Sequence, residues 1–153
     1  MKKALFLDRD GTINEDYGYV FEAEKFVFID GVFNFCREAQ KKDYLIIVIT
    51  SQSGIERGYF TEEDFDVITK HMIDKFAENG VTVTDVFHCP SLAGPDRKPE
   101  PGMFLKAKAK YDIDMTVSVN IGDRARDLEA GRRAGVGKNI LFKGDFKELE
   151  AIL

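Results

Sequence analysis

The chain of 153 residues contains no tryptophan, only two cysteines and no long hydrophobic run. Cys36 falls in a helical pattern and Cys89 at the end of a strand pattern, which is too few thiols for the disulfide framework of an extracellular protein. After Met1-Lys2-Lys3, only four apolar residues precede Asp8, far fewer than a signal peptide or a membrane span needs. These absences predict a cytoplasmic protein with buried, unreactive thiols.

Basic residues are also scarce. The 22 Lys and Arg residues are outnumbered by 27 Asp and Glu residues, which gives a net charge of −5, and the basic runs do not exceed pairs such as Lys41-Lys42. This balance provides no electrostatic footprint for a nucleic-acid backbone. The length fits one domain over residues 1–153, and 13 phenylalanines supply core volume without disulfides or structural metal.

Strand-like and helix-like segments alternate along the chain. The predicted strands cover residues 5–7, 45–49, 81–88, 117–121 and 139–142. The predicted helices are one capped by Asp30, one from Thr61 to a stop at Asn79-Gly80, and two over residues 101–111 and 124–134. The alternation predicts an α/β fold in which helices cover both faces of a central, mostly parallel sheet.

Two carboxylates stand at the end of the first predicted strand. Asp8 follows three apolar residues, and Asp10 comes two positions later, immediately before Gly11. Alternate side chains of an extended backbone share a face, so the two carboxylates point the same way. One can attack phosphorus while the other moves protons. The alternatives for this pattern are a surface turn with capping carboxylates and a calcium-binding loop.

Polar residues also end three further predicted strands. Thr50 leads into the segment Ser51-Gln52-Ser53-Gly54, where backbone amides can bind an anion. Arg97-Lys98 lies in a proline-bounded loop, and a fixed cation there can neutralise a phosphoryl group. Asp123 follows the fourth strand, and Asp127 comes four residues later, in the first turn of a helix.

Each feature has a structural alternative when it is taken alone. Ser and Gly commonly make turns. The pair Arg97-Lys98 can be a solvated surface charge, and Asp123 can cap the following helix. All four groups, however, stand at the carboxyl ends of predicted parallel strands, where open α/β sheets bind their ligands. Their joint placement favours a single shared site.

The order of an acid pair, Thr, Lys and Asp resembles the signature of the haloacid dehalogenase (HAD) superfamily over almost the whole chain. Within it, the sequence is similar to the branch of D,D-heptose 1,7-bisphosphate phosphatases and histidinol-phosphate phosphatases. Residues 6–14, 18–20, 50–55, 57–58 and 60–62 look like the heptose enzymes, and residues 122–127 are at least as similar to the histidinol enzymes. The resemblance implies a HAD-like, Rossmannoid three-layer sandwich without a cap domain.

The resemblance also implies a Mg²⁺-dependent phosphomonoesterase and a role for each matching position. Asp8 would be the nucleophile, and Asp10 would protonate the leaving oxygen and later take a proton from water. Thr50 and Lys98 would hold phosphoryl oxygens. The Mg²⁺ ligands would be Asp8, Asp123 and the backbone carbonyl of Asp10. The implied substrate contacts are Asp16, Tyr17, Gly18, Tyr19, Ser51, Gln52, Ser53 and Arg97.

The sequence departs from the pattern of this branch in two places. Many relatives carry a zinc loop of three Cys and one His before the segment at Arg97, but here only Cys89 remains, and Ser91 stands where the His is expected. A structural zinc site needs about four ligands, so we expect no zinc. Ser51 replaces a usual Asn, which leaves phosphate binding intact and bears on the finer substrate contact.

The spacing also excludes a large cap. Only 47 residues separate Thr50 from Lys98, and one helix and one strand occupy most of them. Specificity must therefore come from the loops at residues 11–28, 53–60 and 89–100.

The substrate expected from the resemblance is a small sugar phosphate, D-glycero-D-manno-heptose 1,7-bisphosphate, with histidinol phosphate as the rival. A signalling receiver would place its acid pair and its phosphoacceptor on different strands. A polynucleotide 3′-phosphatase would need a basic groove, which the charge balance does not favour. We expect a monomer without nucleic-acid or membrane partners.

Overall fold

The computed structural model describes all 153 residues. The strands are β1 (Lys3–Leu7), β2 (Tyr44–Ser51), β3 (Val83–Cys89), β4 (Val119–Gly122) and β5 (Lys138–Leu141). The α-helices are α1 (Val32–Lys41), α2 (Glu62–Glu78), α3 (Gly102–Tyr111) and α4 (Ala125–Arg133). Short 3₁₀ helices lie at Ala23–Lys25, Met115–Val117 and Phe146–Ile152.

The five strands form one parallel sheet in the order β3-β2-β1-β4-β5. From the central strand β1, the chain first builds outward through β2 and β3, and then on the other side through β4 and β5. The strand order therefore reverses beside β1. In open α/β sheets, ligands bind outside the carboxyl ends of the strands at such a switch point. The predicted α/β fold is confirmed, and the switch point lies next to Asp8.

Side chains of β1 enter hydrophobic cores on both faces of the sheet. Leu5 and Leu7 belong to a larger core shared with α1 and α2. Ala4 and Phe6 belong to a smaller core shared with α3 and α4, where the rings of Phe6 and Phe104 meet edge to face at 5.1 Å. Because both faces are covered, the central strands are nearly continuous apolar runs. The result is the predicted three-layer arrangement.

Helix α2 follows the sequence pattern closely. Thr61 Oγ1 accepts a hydrogen bond from the Asp64 N–H at 3.1 Å, and Asp64 Oδ2 accepts one from the Thr61 N–H at 2.9 Å. This reciprocal pair is a capping box. An apolar stripe of the helix is buried in the core; it consists of Phe65, Ile68, Met72 and Phe76.

The predicted N-cap of α1 is wrong. Asp30 makes no capping hydrogen bond, and the N-cap position is occupied by Gly31. Gly31 has a φ of 86°, a left-handed conformation that glycine adopts without steric penalty. The chain thus turns sharply into the helix one residue later than the polar side chain suggested.

Two predicted strand starts are also too early. The fourth strand begins at Val119 rather than at residue 117, because Asp114 Oδ1 accepts a hydrogen bond from the Thr116 N–H at 3.0 Å and closes a 3₁₀ turn. The third strand begins at Val83 rather than at residue 81. The Val81 N–H instead donates to the carbonyl of Phe76 at the end of α2. In both places the backbone forms local helical hydrogen bonds instead of pairing with a neighbouring strand, although the residues are apolar.

The connections at the carboxyl edge of the sheet form the rim of the site. The connection between β2 and β3 contains turns and α2 and holds no cap domain. The aromatic rings of two connections interlock there: Tyr19 meets Tyr59 at 4.7 Å, and Phe21 stacks on Phe60 at 5.3 Å. No helix has the length and apolar character required to cross a membrane.

Phe76→Ala should lower the free energy of unfolding by about 3–5 kcal/mol, measured by urea denaturation. The ring is fully buried and packs edge to face on Phe28 and Phe33, at 5.7 Å and 5.2 Å. Val67→Ala on the same helix is the control, because Val67 is 66% exposed, and it should change stability by less than about 0.5 kcal/mol. Equal losses in the two variants would contradict this account of the core.

Candidate active site

Four strand ends converge on a polar cavity of about 350 Å³. Asp8 stands directly after β1, where its N–H donates to the carbonyl of Ile121 in β4 at 3.1 Å. Thr50 lies at the end of β2, and Asp123 follows β4. Lys98 reaches the same place from the loop after β3. The residues that the sequence predicted to meet here are therefore brought together.

Lys98 is a buried cation of the site that is held by several hydrogen bonds. Its side chain is 2% exposed, and its Nζ donates to Asp8 Oδ1 at 3.1 Å, Asp127 Oδ1 at 2.9 Å and the carbonyl of Ile49 at 2.7 Å. Burial by itself would lower the pKa of Lys98, but attraction to the two carboxylates more than compensates, so the pKa lies above its ordinary value. Lys98 is therefore a fixed positive charge beside Asp8.

The carboxyl group of Asp8 is surrounded by other acids. Burial raises its pKa well above the ordinary value of 3.8, Lys98 opposes that shift, and repulsion from Asp127, Asp123 and Asp10 adds to it. The single ammonium group of Lys98 does not neutralise the negative charge of the carboxylates around Asp8. The remaining negative charge favours the binding of a further cation.

Oxygen atoms are available for a hard divalent cation. Carboxylate oxygens of Asp8, Asp123 and Asp127 all lie within 4.8 Å of one another. Asp123 Oδ1 is buried without a hydrogen-bond partner, and the carbonyl of Asp10 accepts no backbone hydrogen bond. Asp127, by contrast, is engaged by Lys98 and by the Arg124 N–H at 3.0 Å. Asp8, Asp123 and the Asp10 carbonyl therefore fit Mg²⁺, which prefers oxygen ligands.

Gly11 makes room for this arrangement. It has a φ of 89°, and a Cβ at this position would collide with the carboxylate of Asp123. Glycine is required here both for the turn after Asp10 and for the close approach of the acid.

Three residues donate hydrogen bonds that orient the side chain of Asp10. Arg9 Nε and Nη2 donate to Asp10 Oδ1 at 3.0 Å and 2.9 Å, and Asn14 Nδ2 donates to the same oxygen at 3.0 Å. Gln52 Nε2 donates to Asp10 Oδ2 at 3.0 Å and to Thr50 Oγ1 at 2.9 Å. Gln52 was expected to contact substrate, but its amide nitrogen is directed at these two residues. Its geometry is that of a positioning residue.

Arg9 is buried to 1% exposure, although arginine is rarely found in an interior. Its Nη2 also donates to the carbonyl of Val20 at 2.6 Å, and the guanidinium lies over the ring of Phe26 at 5.7 Å. The salt bridge to Asp10 thereby connects the turn after β1 to the loop that carries the expected sugar contacts.

Most of the other predicted contacts also line the cavity; they are Asp16, Gly18, Tyr19, Ser51, Ser53 and Arg97. Tyr17 does not, and its side chain is 66% exposed. The reason is local: Asp16 Oδ1 accepts a hydrogen bond from the Gly18 N–H at 2.9 Å, and this turn directs Tyr17 to solvent.

Backbone donors are also available at the cavity. The N–H groups of Asp10, Ser53 and Gly54, all residues of the cavity wall, donate to no backbone carbonyl. Free N–H groups beside a lysine are a suitable binding site for phosphoryl oxygens. This agrees with the anion-binding role expected for the segment after Thr50.

Several residues of the site were missed in the sequence. Asp127 had a usable signal, since its position one helical turn after Asp123 places both at the same strand end. Arg9 and Asn14 had none, because hydrogen bonds to Asp10 depend on the turn geometry. Arg57 lies in the loop at residues 53–60 that was expected to determine specificity but was not singled out there, and Arg124 and Arg126, which also line the cavity, were not predicted as site residues.

The end of β3 carries packed side chains. His88 Nε2 lies 2.8 Å from Glu62 Oε2, and its ring stacks on Phe65 at 4.1 Å. Cys89 and Cys36 are buried free thiols, and burial raises the pKa of Cys36 to about 12. The expected absence of zinc stays a prediction.

Comparisons with known proteins identify the relatives of this chain. The family described as "HAD-hyrolase-like" matches residues 96–151. The D-glycero-alpha-D-manno-heptose-1,7-bisphosphate 7-phosphatase of Campylobacter jejuni is 46% identical over 147 residues, which cover 95% of this chain and 86% of the relative. The D-glycero-beta-D-manno-heptose-1,7-bisphosphate 7-phosphatase of Vibrio cholerae is 45% identical over 152 residues, which cover 93% and 82%.

A solved structure is also similar to this chain. The D,D-heptose 1,7-bisphosphate phosphatase from B. bronchiseptica, complexed with magnesium and phosphate, superposes with a TM-score of 0.83 at 31% identity, covering 89% of this chain and 78% of that one. Fold and site together define a phosphoric monoester hydrolase of the HAD superfamily. Within it, the chain belongs to the heptose-1,7-bisphosphate 7-phosphatase family.

Gly11→Ala should weaken Mg²⁺ binding by about tenfold or more, because the new methyl group displaces the Asp123 carboxylate. Isothermal titration with MgCl₂ measures the effect without any turnover. Gly144→Ala is the matched control: Gly144 also has a positive φ of 99°, but nothing lies within 4 Å of its added Cβ. Equal Mg²⁺ affinity in the two variants would refute the steric argument.

Proposed function

We propose that this protein removes the 7-phosphate of D-glycero-D-manno-heptose 1,7-bisphosphate through an aspartyl-phosphate intermediate on Asp8. The observation that carries the proposal is the cluster of Asp8, Lys98, Asp127 and the unpartnered oxygen of Asp123 at one strand edge. The names of the relatives support the substrate. They include both anomers, so the anomer stays open. Residues 1–153 would act as one catalytic domain.

Asp8 would be the nucleophile. Lys98 holds Asp8 Oδ1, which leaves Oδ2 free to attack phosphorus. The new bond joins Asp8 Oδ2 to phosphorus, and the bond from phosphorus to the sugar oxygen breaks. The sugar oxygen leaves with the bonding electron pair and must take up a proton.

Asp10 would supply that proton. In the second step a water molecule attacks phosphorus, Asp10 takes the proton of that water, and the Asp8 carboxylate leaves as inorganic phosphate is released. Arg9, Asn14 and Gln52 fix the direction in which the Asp10 carboxyl group points.

The phosphoryl oxygens would be bound by Thr50, Lys98 and the free backbone N–H groups of the cavity wall. Asp8, Asp123 and the carbonyl of Asp10 would hold Mg²⁺, which when bound supplies positive charge to the phosphoryl oxygens. Phosphate-monoester hydrolysis is among the slowest uncatalysed reactions, so such positioned charge accounts for most of the acceleration.

The charge of the cavity distinguishes the two substrates suggested by the sequence. Four arginines are among the residues that line the cavity: Arg57, Arg97, Arg124 and Arg126. Histidinol phosphate carries an amine that would meet these like charges, whereas a bisphosphate offers them a second anion. The heptose bisphosphate is therefore favoured over histidinol phosphate.

Asp8→Asn should reduce turnover to below about one thousandth of the wild-type value, because a carboxamide cannot form the acyl phosphate. Phosphate release from the heptose bisphosphate is the measurement, and circular dichroism checks the fold. Asp66→Asn, on the exposed face of α2, is the control and should retain full activity. A variant Asp8→Asn with a tenth of the activity would remove Asp8 from this role.

Asp10→Asn should impair hydrolysis of the sugar phosphate more than the first step with p-nitrophenyl phosphate. The p-nitrophenolate leaving group needs little protonation, whereas a sugar alkoxide depends on it. Single-turnover measurement of leaving-group release from both substrates isolates that step. An equal loss with the two substrates would be evidence against Asp10 as the acid.

Metal removal gives a further prediction. EDTA should stop turnover, and Mg²⁺ should restore it, because the open carboxylate oxygens are hard ligands. Elemental analysis of the purified protein should detect no stoichiometric zinc, since only Cys89 of the expected zinc ligands is present near the loop. One tightly held zinc ion per chain would contradict this interpretation of the loop.

A further inference from the structure

The connection between β1 and α1 contains a loop that leaves the body of the fold and returns to it. We call residues 15–27 the β1–α1 loop. Its two ends are joined by a hydrogen bond from the Glu15 N–H to the carbonyl of Val27 at 2.8 Å. Within the loop, only Val20 and Phe26 are buried. These two residues therefore attach the loop to the interior.

Both buried residues of the loop lie beside Arg9. Arg9 Nη2 donates to the carbonyl of Val20 at 2.6 Å, and the guanidinium carbon lies 5.7 Å from the centre of the Phe26 ring. The ring of Phe65 in α2 lies 6.0 Å from the same carbon. Aromatic rings attract such cations. The loop is thus attached to the guanidinium group that also forms the salt bridge with Asp10.

Stability alone does not explain an arginine at this position. Its side chain is 1% exposed, and Nη1 is buried without a hydrogen-bond partner. A buried polar group without a partner costs free energy, which an apolar side chain would avoid. The donors of Arg9 that do have partners bind the Asp10 carboxylate and the Val20 carbonyl. Because a guanidinium group is planar and rigid, it fixes the position of one acceptor relative to the other.

We propose that Arg9 is a positioning residue through which the β1–α1 loop controls proton transfer by Asp10. The inference rests on the proposed function in that it takes Asp10 as the acid. The Val20 carbonyl and the Phe26 ring hold the guanidinium group, and the guanidinium group holds the Asp10 carboxyl group in one orientation. The loop thereby contributes to catalysis as well as to the sugar contacts expected of it. A misdirected acid slows the reaction of leaving groups that need a proton and spares the others.

The test uses two aryl phosphates that differ in their need for a proton. Phenolate is a more basic leaving group than p-nitrophenolate, so phenyl phosphate depends more strongly on the acid. Neither compound carries a sugar, so contacts between the loop and a sugar do not affect the comparison. Release of each phenol is measured in a single turnover with Mg²⁺ present. We call the rate for phenyl phosphate divided by that for p-nitrophenyl phosphate the leaving-group ratio.

Two variants break the connection at different points, and each has a matched control. Arg9→Lys keeps a positive charge but loses the planar fork that spans both acceptors. Its control is Arg37→Lys, at a half-buried arginine of α1. Phe26→Leu removes the ring that the loop places beside Arg9, and its control is Phe33→Leu. Phe26 and Phe33 both pack on the ring of Phe28, at 4.8 Å and 4.7 Å, but only Phe26 lies beside Arg9.

Arg9→Lys and Phe26→Leu should each lower the leaving-group ratio about tenfold, because proton donation fails while attack by Asp8 continues. Both controls should retain the wild-type ratio. A merely structural role would lower the two rates together and leave their ratio unchanged. Combined with Asp10→Asn, Arg9→Lys should lower the ratio no further than Asp10→Asn alone, because the acid on which it acts is already absent.

Asp10→Asn by itself separates the inference from the proposed function. If it lowers the ratio but Arg9→Lys or Phe26→Leu folds correctly and leaves the ratio unchanged, the inference is wrong and Asp10 remains the acid. Equal losses in the controls, or a further fall when Arg9→Lys is added to Asp10→Asn, would also overturn the inference. If Asp10→Asn leaves the ratio unchanged, Asp10 is not the acid and the inference fails with that role. Circular dichroism checks the fold of each variant, and two separate positions keep the test decisive if one variant does not fold.

Discussion

The hydrogen bonds of one buried ammonium group, that of Lys98, hold this site together. Lys98 Nζ joins Asp8 after β1, the carbonyl of Ile49 in β2 and Asp127 in α4. Each of these charged groups would be costly to bury alone, and removal of any one leaves the others uncompensated. The same ammonium group thus connects the ends of β1 and β2 with α4 and fixes the orientation of the Asp8 carboxylate. The site is organised before any substrate arrives.

The carboxylates around the cavity have different partners, and these partners determine which oxygen atoms are left to bind a metal ion. Asp10 is paired with the buried Arg9, which fixes its direction. Asp127 is paired with Lys98 and with a backbone N–H at the start of α4, so its oxygens are already used. Asp123 retains a buried oxygen with no partner. The unpaired oxygen, rather than the number of acids, indicates where Mg²⁺ belongs.

The sequence predicted those parts of the site that depend on the strands. Apolar runs specify β1 and β2, and a residue at a strand end, such as Asp8 or Asp123, needs no further information to be placed at the carboxyl edge. Groups placed by turns and loops were less predictable. Tyr17 faces solvent because of a local turn, and the burial of Arg9 depends on aromatic rings from distant segments. Arg57 and Arg126 reach the cavity from a loop and from the first turn of α4, a placement that no local pattern indicates.

The central claim is that the phosphoryl group passes through Asp8. It is tested most directly by mixing the protein with the heptose bisphosphate and Mg²⁺, quenching in acid within the first turnover, and sequencing the peptides by mass spectrometry. The account predicts a phosphoryl group on Asp8 that appears and decays at rates consistent with turnover. Phosphate release without any phosphorylated Asp8, or with the phosphoryl group on another residue, would contradict it.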